Sequence, residues 1–222
     1  MASAKRSYLM ILPKDMKPTD KSIALEVLDG QIGESKNLKK MSPVRMISAG
    51  GFLAVNVFGN RASTEDIDYI LDPEIKNLTK AEEKLSIAIR KVNKDLQLED
   101  QWINDSMAVF AVGDKRKQLF RESVEQNEVV FQGKHLVIYA VKWQWGLTRK
   151  LIRLGASLGR KEDIDLSDAV ALTRRIVEQE GTALNRDVVE SWTDNIYTPI
   201  EDQVLDRVAA EYVKKYGTQC FL

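Results

Sequence analysis

Cysteine and histidine are nearly missing from this chain: its 222 residues include one of each, Cys220 and His135. One cysteine excludes an internal disulfide, and one histidine excludes a histidine-based metal cluster. With no disulfide framework and no secretory leader in the opening residues, a reducing, cytoplasmic setting is expected. Cys220 is read as a partly buried residue of the tail and His135 as structural. Long apolar runs are also lacking. The opening run Tyr8–Leu12 is too short to cross a bilayer, so no membrane partner is expected. An excess of one charge is absent as well, since 33 basic side chains balance 33 acidic ones. Proteins that wrap long polynucleotides carry a basic excess, so no long DNA partner is expected. Any nucleic-acid contact has to come from a local patch, for which the basic stretch Lys134 to Lys161 is the candidate.

What remains is ordinary for a chain that buries a core, at 44% hydrophobic and 30% charged residues. Periodicity divides it in two. The first part, 1–141, alternates helix and strand patterns. A helix is predicted from Asp20 with Ile23, Ala24, Val27 and Leu28 inward, then a polar loop over 33–43 and a short strand from Val44 to Ile47. An apolar helix follows over Phe52 to Phe58, a strand over Asp66 to Leu71 and a long helix over Thr79 to Leu96. Strands are predicted at Met107–Val112, Val129–Phe131 and Leu136–Val141, the last two as a hairpin turning at Gly133. The second part, 142–222, is all helical. One stripe runs from Trp143 to Leu158, one from Leu166 to Val177, and a short helix covers Asn185–Trp192. A last helix opens on the capping box Thr198-Pro199-Ile200-Glu201 and ends at Gly217. No Gly-, Ser- or Pro-rich linker divides the parts, so close packing is expected. The fold class is therefore α/β (α+β), a small mixed sheet with a C-terminal helical half.

The segment Ile47 to Leu71 carries the chemistry. It reads strand, Gly50-Gly51, helix, polar loop, strand. Paired glycines at a strand-to-helix turn let the backbone approach a ligand, and the free N–H groups there favour an anion such as phosphate. Asp66 and Asp68 are two apart on a strand, so both project to one face. Two adjacent carboxylates are stable together mainly with a cation between them, and Mg²⁺ (or Mn²⁺) takes such oxygen ligands together with substrate phosphates. A phosphate cradle close to a carboxylate pair is the arrangement that metal-assisted phosphoryl transfer needs.

This segment resembles the DNA polymerase beta-like nucleotidyltransferase superfamily, whose signature is an apolar residue, Gly-Gly, a spacer and Asp-apolar-Asp-apolar. The local form Gly59-Asn60-Arg61-Ala62-Ser63-Thr64-Glu65-Asp66-Ile67-Asp68 looks like the AbiEii-type branch. Two departures stand out: fourteen residues separate Gly51 from Asp66, one more than usual, and Gly51 stands where many members have serine. A second stretch fits the same branch, with Lys150 on a helix, the basic loop Arg160-Lys161, and Asp163, Asp165 and Asp168 opening the next helix. Gly146, Lys150, Arg153 and Ser157 share one face.

The resemblance implies the nucleotidyltransferase fold and transfer of a nucleoside monophosphate from an NTP to an acceptor hydroxyl. Asp66 and Asp68 would hold Mg²⁺. Gly50, Gly51, Arg61, Ser63 and Lys150 would bind the nucleotide, and Asp165 and Asp168 would support Lys150. Enzymes of this fold add a third carboxylate from a later strand as base, for which Asp105 is the first candidate and Glu128 the second. Trp143 and Trp145 are read as core, with base stacking as the alternative. The acceptor is a tRNA end, a protein hydroxyl or a small molecule. The alternative function is a catalytically inactive nucleotide- or RNA-binding module on the same scaffold, favoured if no acidic third position faces the pair.

Overall fold

The structure is a computed structural model and describes residues 18–156, 162–193 and 199–222. Tyr8–Leu12, Ser157, Leu158, Arg160, Lys161 and Thr198 lie outside them. A five-stranded mixed sheet has the order β3-β2-β1-β5-β4, from β1 (Val44–Ala49), β2 (Ile67–Leu71), β3 (Ile103–Asn104), β4 (Val129–Gln132) and β5 (Leu136–Ala140). β1 runs antiparallel to β2 and parallel to β5, β2 parallel to β3, and β4 antiparallel to β5. The class is thus α+β with a small mixed sheet, and the predicted hairpin at Gly133 is present. Val44, Met46, Ile47, Leu136 and Ile138 are fully buried, which fits a central β1–β5 pair covered on both faces.

The first helix, α1 (Pro18–Glu34), is already formed at Pro18, ahead of Asp20. Its buried stripe is Lys21, Ala24, Leu25, Leu28 and Ile32. The Asp29 carboxylate on the same helix accepts from the backbone N–H groups of His135 and Leu136, both at 2.7 Å, and so fastens α1 to the hairpin. Part of the predicted polar loop after it forms a 3-10 turn, Leu38–Met41, because Leu38 is buried. Helix α2 (Gly51–Leu53) widens into a π turn over Ala54–Phe58 and closes at Gly59. The long helix α3 (Leu78–Leu96) buries Ala81, Leu85, Ile89, Val92 and Leu96 as its pattern predicts.

The expectation of a strand over Met107–Val112 fails. Residues Ser106–Phe110 form a 3-10 turn, and Val109, Phe110 and Val112 are exposed. Local hydrogen bonds outcompete the ladder: Asn104 Oδ1 accepts from the Ser106 N–H, and Arg116 donates to the Ala108 and Ala111 carbonyls. Arg116 belongs to α4 (Gly113–Gln126), an element the sequence reading does not contain. Beyond β5 come α5 (Trp143–Gly155), α6 (Glu162–Glu180), α7 (Arg186–Ser191) and α8 (Asp202–Tyr216). Helix α8 starts three residues after Pro199, with Glu201 at its N-cap, and ends at Gly217. Its buried face is Val204, Val208 and Tyr212, continued by Ile200 before it. Cys220 is buried rather than partly buried, and burial pushes its thiol up to about 11. His135 has the structural role expected of it: Nδ1 lies 3.2 Å from Ser42 Oγ, and its carbonyl accepts from Val44 N–H. Among the described residues, no helix is long and apolar enough to cross a membrane.

Candidate functional site

The two glycines at the end of β1 are needed for different reasons. Gly50 has φ 69° and ψ −138°, a conformation that side chains other than glycine's rarely adopt. Gly51 is pressed by Thr64, whose Cβ lies 2.9 Å from where a Cβ on residue 51 would stand. Thr64 thus fills the space a serine would take at this position. Next to the turn, β2 brings up the acidic pair. Asp68 Oδ2 lies 3.5 Å from where a Gly50 Cβ would stand, so the glycine turn and the carboxylate share one wall. Buried Ser48 locks the register by donating to the Asp68 carbonyl at 2.6 Å.

Asp68 is raised to about 6, first by burial and then by the charge of Asp66 beside it. Lys21, Lys150 and a hydrogen bond from the Asn104 side chain offset part of that rise. Lys21 is the cation that acts most strongly on Asp68. It is fully buried, and its Nζ donates to the Asp66 carbonyl at 2.8 Å. Burial pushes it down to about 8 against the pull of both carboxylates.

Neither candidate third carboxylate joins the pair. In the β2–β3 register Asp68 stands opposite Asn104. Asp105, one residue out of phase, lies beside Tyr69, whose phenol is pushed far up by burial and then by the charges of Asp105 and Glu82. It lines a separate cavity of about 600 Å³. Glu128 leads into β4, three strands from β2, a separation of about 14 Å.

Lys150, Arg61, Asp165 and Asp168 come together as one buried network. Lys150 Nζ lies 2.7 Å from Asp165 Oδ1 and 2.7 Å from Asp168 Oδ2. Arg61 reaches both Asp168 oxygens, with Nε 3.0 Å from Oδ1, and Asn60 Nδ2 adds a third donor at 3.0 Å. Arg153 pairs with Asp165 at 3.1 Å. The two cations expected on phosphate are therefore held by carboxylates, and Asp165 and Asp168 do contact Lys150. Ser63 lies half-buried on the loop between Arg61 and Thr64 and does not line the cleft.

Between the glycine turn and α5 is a cavity of about 130 Å³ lined by Gly50, Asp68, Phe110, Trp145, Arg149 and Lys150, among others. It adjoins a groove of about 650 Å³ that shares Phe110, Trp145 and Arg149 and adds Lys115, Lys142 and Trp192. Arg149 stacks over the Phe110 ring at 4.2 Å. Trp145 is only partly buried, whereas Trp143 is core and packs on Phe58 with centroids 5.6 Å apart. The arrangement offers a hard oxygen donor from Asp68, backbone N–H groups at the glycine turn, and a basic, aromatic opposite wall; Asp66, the residue before β2, acts on Asp68 through its charge but does not line the cavity. Among the described residues, no group of three His, Cys, Asp or Glu is placed to hold a metal. A cation at the pair would complete its shell with ligand phosphates and water, as Mg²⁺ commonly does.

Sequence reasoning missed Lys21, Asn104 and Arg149. A lysine in phase with the apolar stripe Ala24, Leu28 and Ile32 was the available signal for Lys21. Asn104 had none, because a two-residue strand has no period. No curated protein and no solved structure matches the chain. A family model described as a domain of unknown function, DUF7582, matches residues 35–219, and the chain belongs to that family.

Proposed function

We propose that this chain binds a Mg²⁺-NTP in the cleft between the glycine turn and α5 and transfers its nucleoside monophosphate to an acceptor hydroxyl. The observation that carries the reading is the approach of Asp68 Oδ2 to the Gly50 turn, which sets a carboxylate beside a glycine turn that opens a helix. Asp66 and Asp68 would hold the metal, which would neutralise charge on the phosphates. Arg149 and Arg153 on α5 face the same cavity and suit a polyphosphate, while Trp145 and Phe110 offer flat surfaces to a base. In the transfer the acceptor hydroxyl gives up its proton to water, its oxygen bonds to the α-phosphorus, the bond to the oxygen bridging the α- and β-phosphates breaks, and pyrophosphate leaves. The acceptor is a tRNA end, a protein hydroxyl or a small molecule.

The test is incubation with each α-labelled NTP, Mg²⁺ and mixed acceptors. Label should transfer with the wild type and be lost with Asp66→Ala/Asp68→Ala. Equal transfer by both proteins, or by neither, refutes the reading. A second reading has its own observation: Asn104, not a carboxylate, stands opposite Asp68. It makes the chain a nucleotide- or RNA-binding module without transfer. Saturable, Mg²⁺-dependent NTP binding with no transfer to any acceptor would select it.

A further inference from the structure

The acidic pair already has a cation supplied by the chain. Lys21 is fully buried on α1, bonded to the Asp66 carbonyl at 2.8 Å and within electrostatic reach of both Asp66 and Asp68. Its burial gives it no other solvent-facing role. The neighbour that would bring a further negative charge is neutral. Asn104 stands opposite Asp68, and its side-chain carbonyl is taken by the Ser106 N–H at 2.9 Å. Only its amide N–H₂ remains, donating to Gln101 O and to the Asp68 carboxylate. It presents the pair with a donor, where a metal needs an acceptor. Two carboxylates, one ammonium and one amide leave this group with a single net negative charge.

Two divalent ions about 3.5–4 Å apart need several carboxylates to offset their mutual repulsion. One net negative charge does not meet that need, and a buried ammonium beside the pair repels a second ion directly. We propose that Lys21 stands in place of a second divalent ion, so that the cleft takes a single Mg²⁺ together with the nucleotide phosphates. This rests on the reading that Asp66 and Asp68 hold a divalent ion, and it names Lys21 and Asn104 as the residues that set the metal count. Lys21 is a positioning residue: it is buried beneath the pair and its charge acts through Asp66 and Asp68.

The experiment counts Mn²⁺ bound to the full chain saturated with α,β-methylene-ATP, by the electron paramagnetic resonance signal of the free ion, with circular dichroism as the check on folding. Wild type should bind one Mn²⁺ per complex. Lys21→Met keeps the stem and removes the charge, and should bind Mn²⁺ about tenfold more tightly, the scale on which groups behind the direct ligands tune metal affinity. Lys21→Met/Asn104→Asp should bind two. Asn104→Asp alone should still bind one, which keeps the test intact if the Lys21 variants do not fold. Two Mn²⁺ on the wild type, two on Asn104→Asp alone, or an unchanged affinity in folded Lys21→Met would overturn the inference while leaving the proposed function standing. Mn²⁺ binding that Asp66→Ala/Asp68→Ala leaves unchanged would sink that function, and this inference with it.

Discussion

Replacing Asp168 with alanine removes one carboxylate that serves three donors at once. Its side chain is 2% exposed, and it accepts from Lys150 at 2.7 Å, Arg61 at 3.0 Å and Asn60 at 3.0 Å. Lys150 keeps Asp165, but Arg61, 19% exposed, is left beside it with no other carboxylate among the described residues. Breaking a buried pair from one side costs about 3–5 kcal/mol, because the surviving charge stays desolvated. For a chain of this size each kcal/mol shifts Tm by about 2–4 °C, so the expected fall is roughly 6–20 °C. Urea denaturation at pH 7 gives the free energy directly. Removing the stranded cation as well, in Asp168→Ala/Arg61→Met, should recover part of the loss, since the two sites are coupled. Glu178→Ala, which breaks the exposed Arg174–Glu178 pair, is the control and should change stability by less than about 0.5 kcal/mol. A loss below about 1 kcal/mol for Asp168→Ala would refute the reasoning that Asp168 holds these cations as a desolvated, buried network.

Gly51→Ala should cost about 1–3 kcal/mol through its clash with Thr64, and Thr64→Ala in the same chain should recover most of it, as urea midpoints would show. Asp68→Asn should stabilise the chain without metal at pH 7. The folded carboxyl is raised to about 6, so the unfolded chain releases its proton first, and stability falls as pH rises from about 4 through 6; the variant should lack that slope in melting curves. The Cys220 thiol, raised to about 11, should likewise draw stability down as pH climbs from about 9 through 11, with Cys220→Ala free of the decline. At pH 8 the native thiol should react with a disulfide reagent far more slowly than the urea-unfolded chain, and equal rates would contradict its burial.

The sequence announced its long, strongly periodic parts. The stripe of α3 and the alternation of β2 came from spacing and the hairpin from its turn at Gly133, because each obeys a local rule. It misled where side chains bond to nearby backbone. The apolar run Met107–Val112 has strand composition, yet Asn104 and Arg116 satisfy its backbone and leave Val109 and Phe110 in solvent. The pairing of Asp68 with Asn104 was hidden for a related reason, since register in a two-residue strand is decided by the rest of the sheet. The family resemblance already linked Asp165 and Asp168 to Lys150, but it assigned Arg61 to the nucleotide, and only the packing of α5 on α6 against the Arg61 loop makes them one network.

Asp29 and Lys21 sit eight residues apart on α1, about 12 Å along its axis. The hairpin N–H groups clamp the helix at one mark, and the ammonium is delivered at the other. The helix therefore works as a gauge, transferring the position of the β4–β5 turn to the floor beneath β2. Loosening the far clamp lets that floor slide, so a change at Asp29 would be felt at the acidic pair two helical turns away.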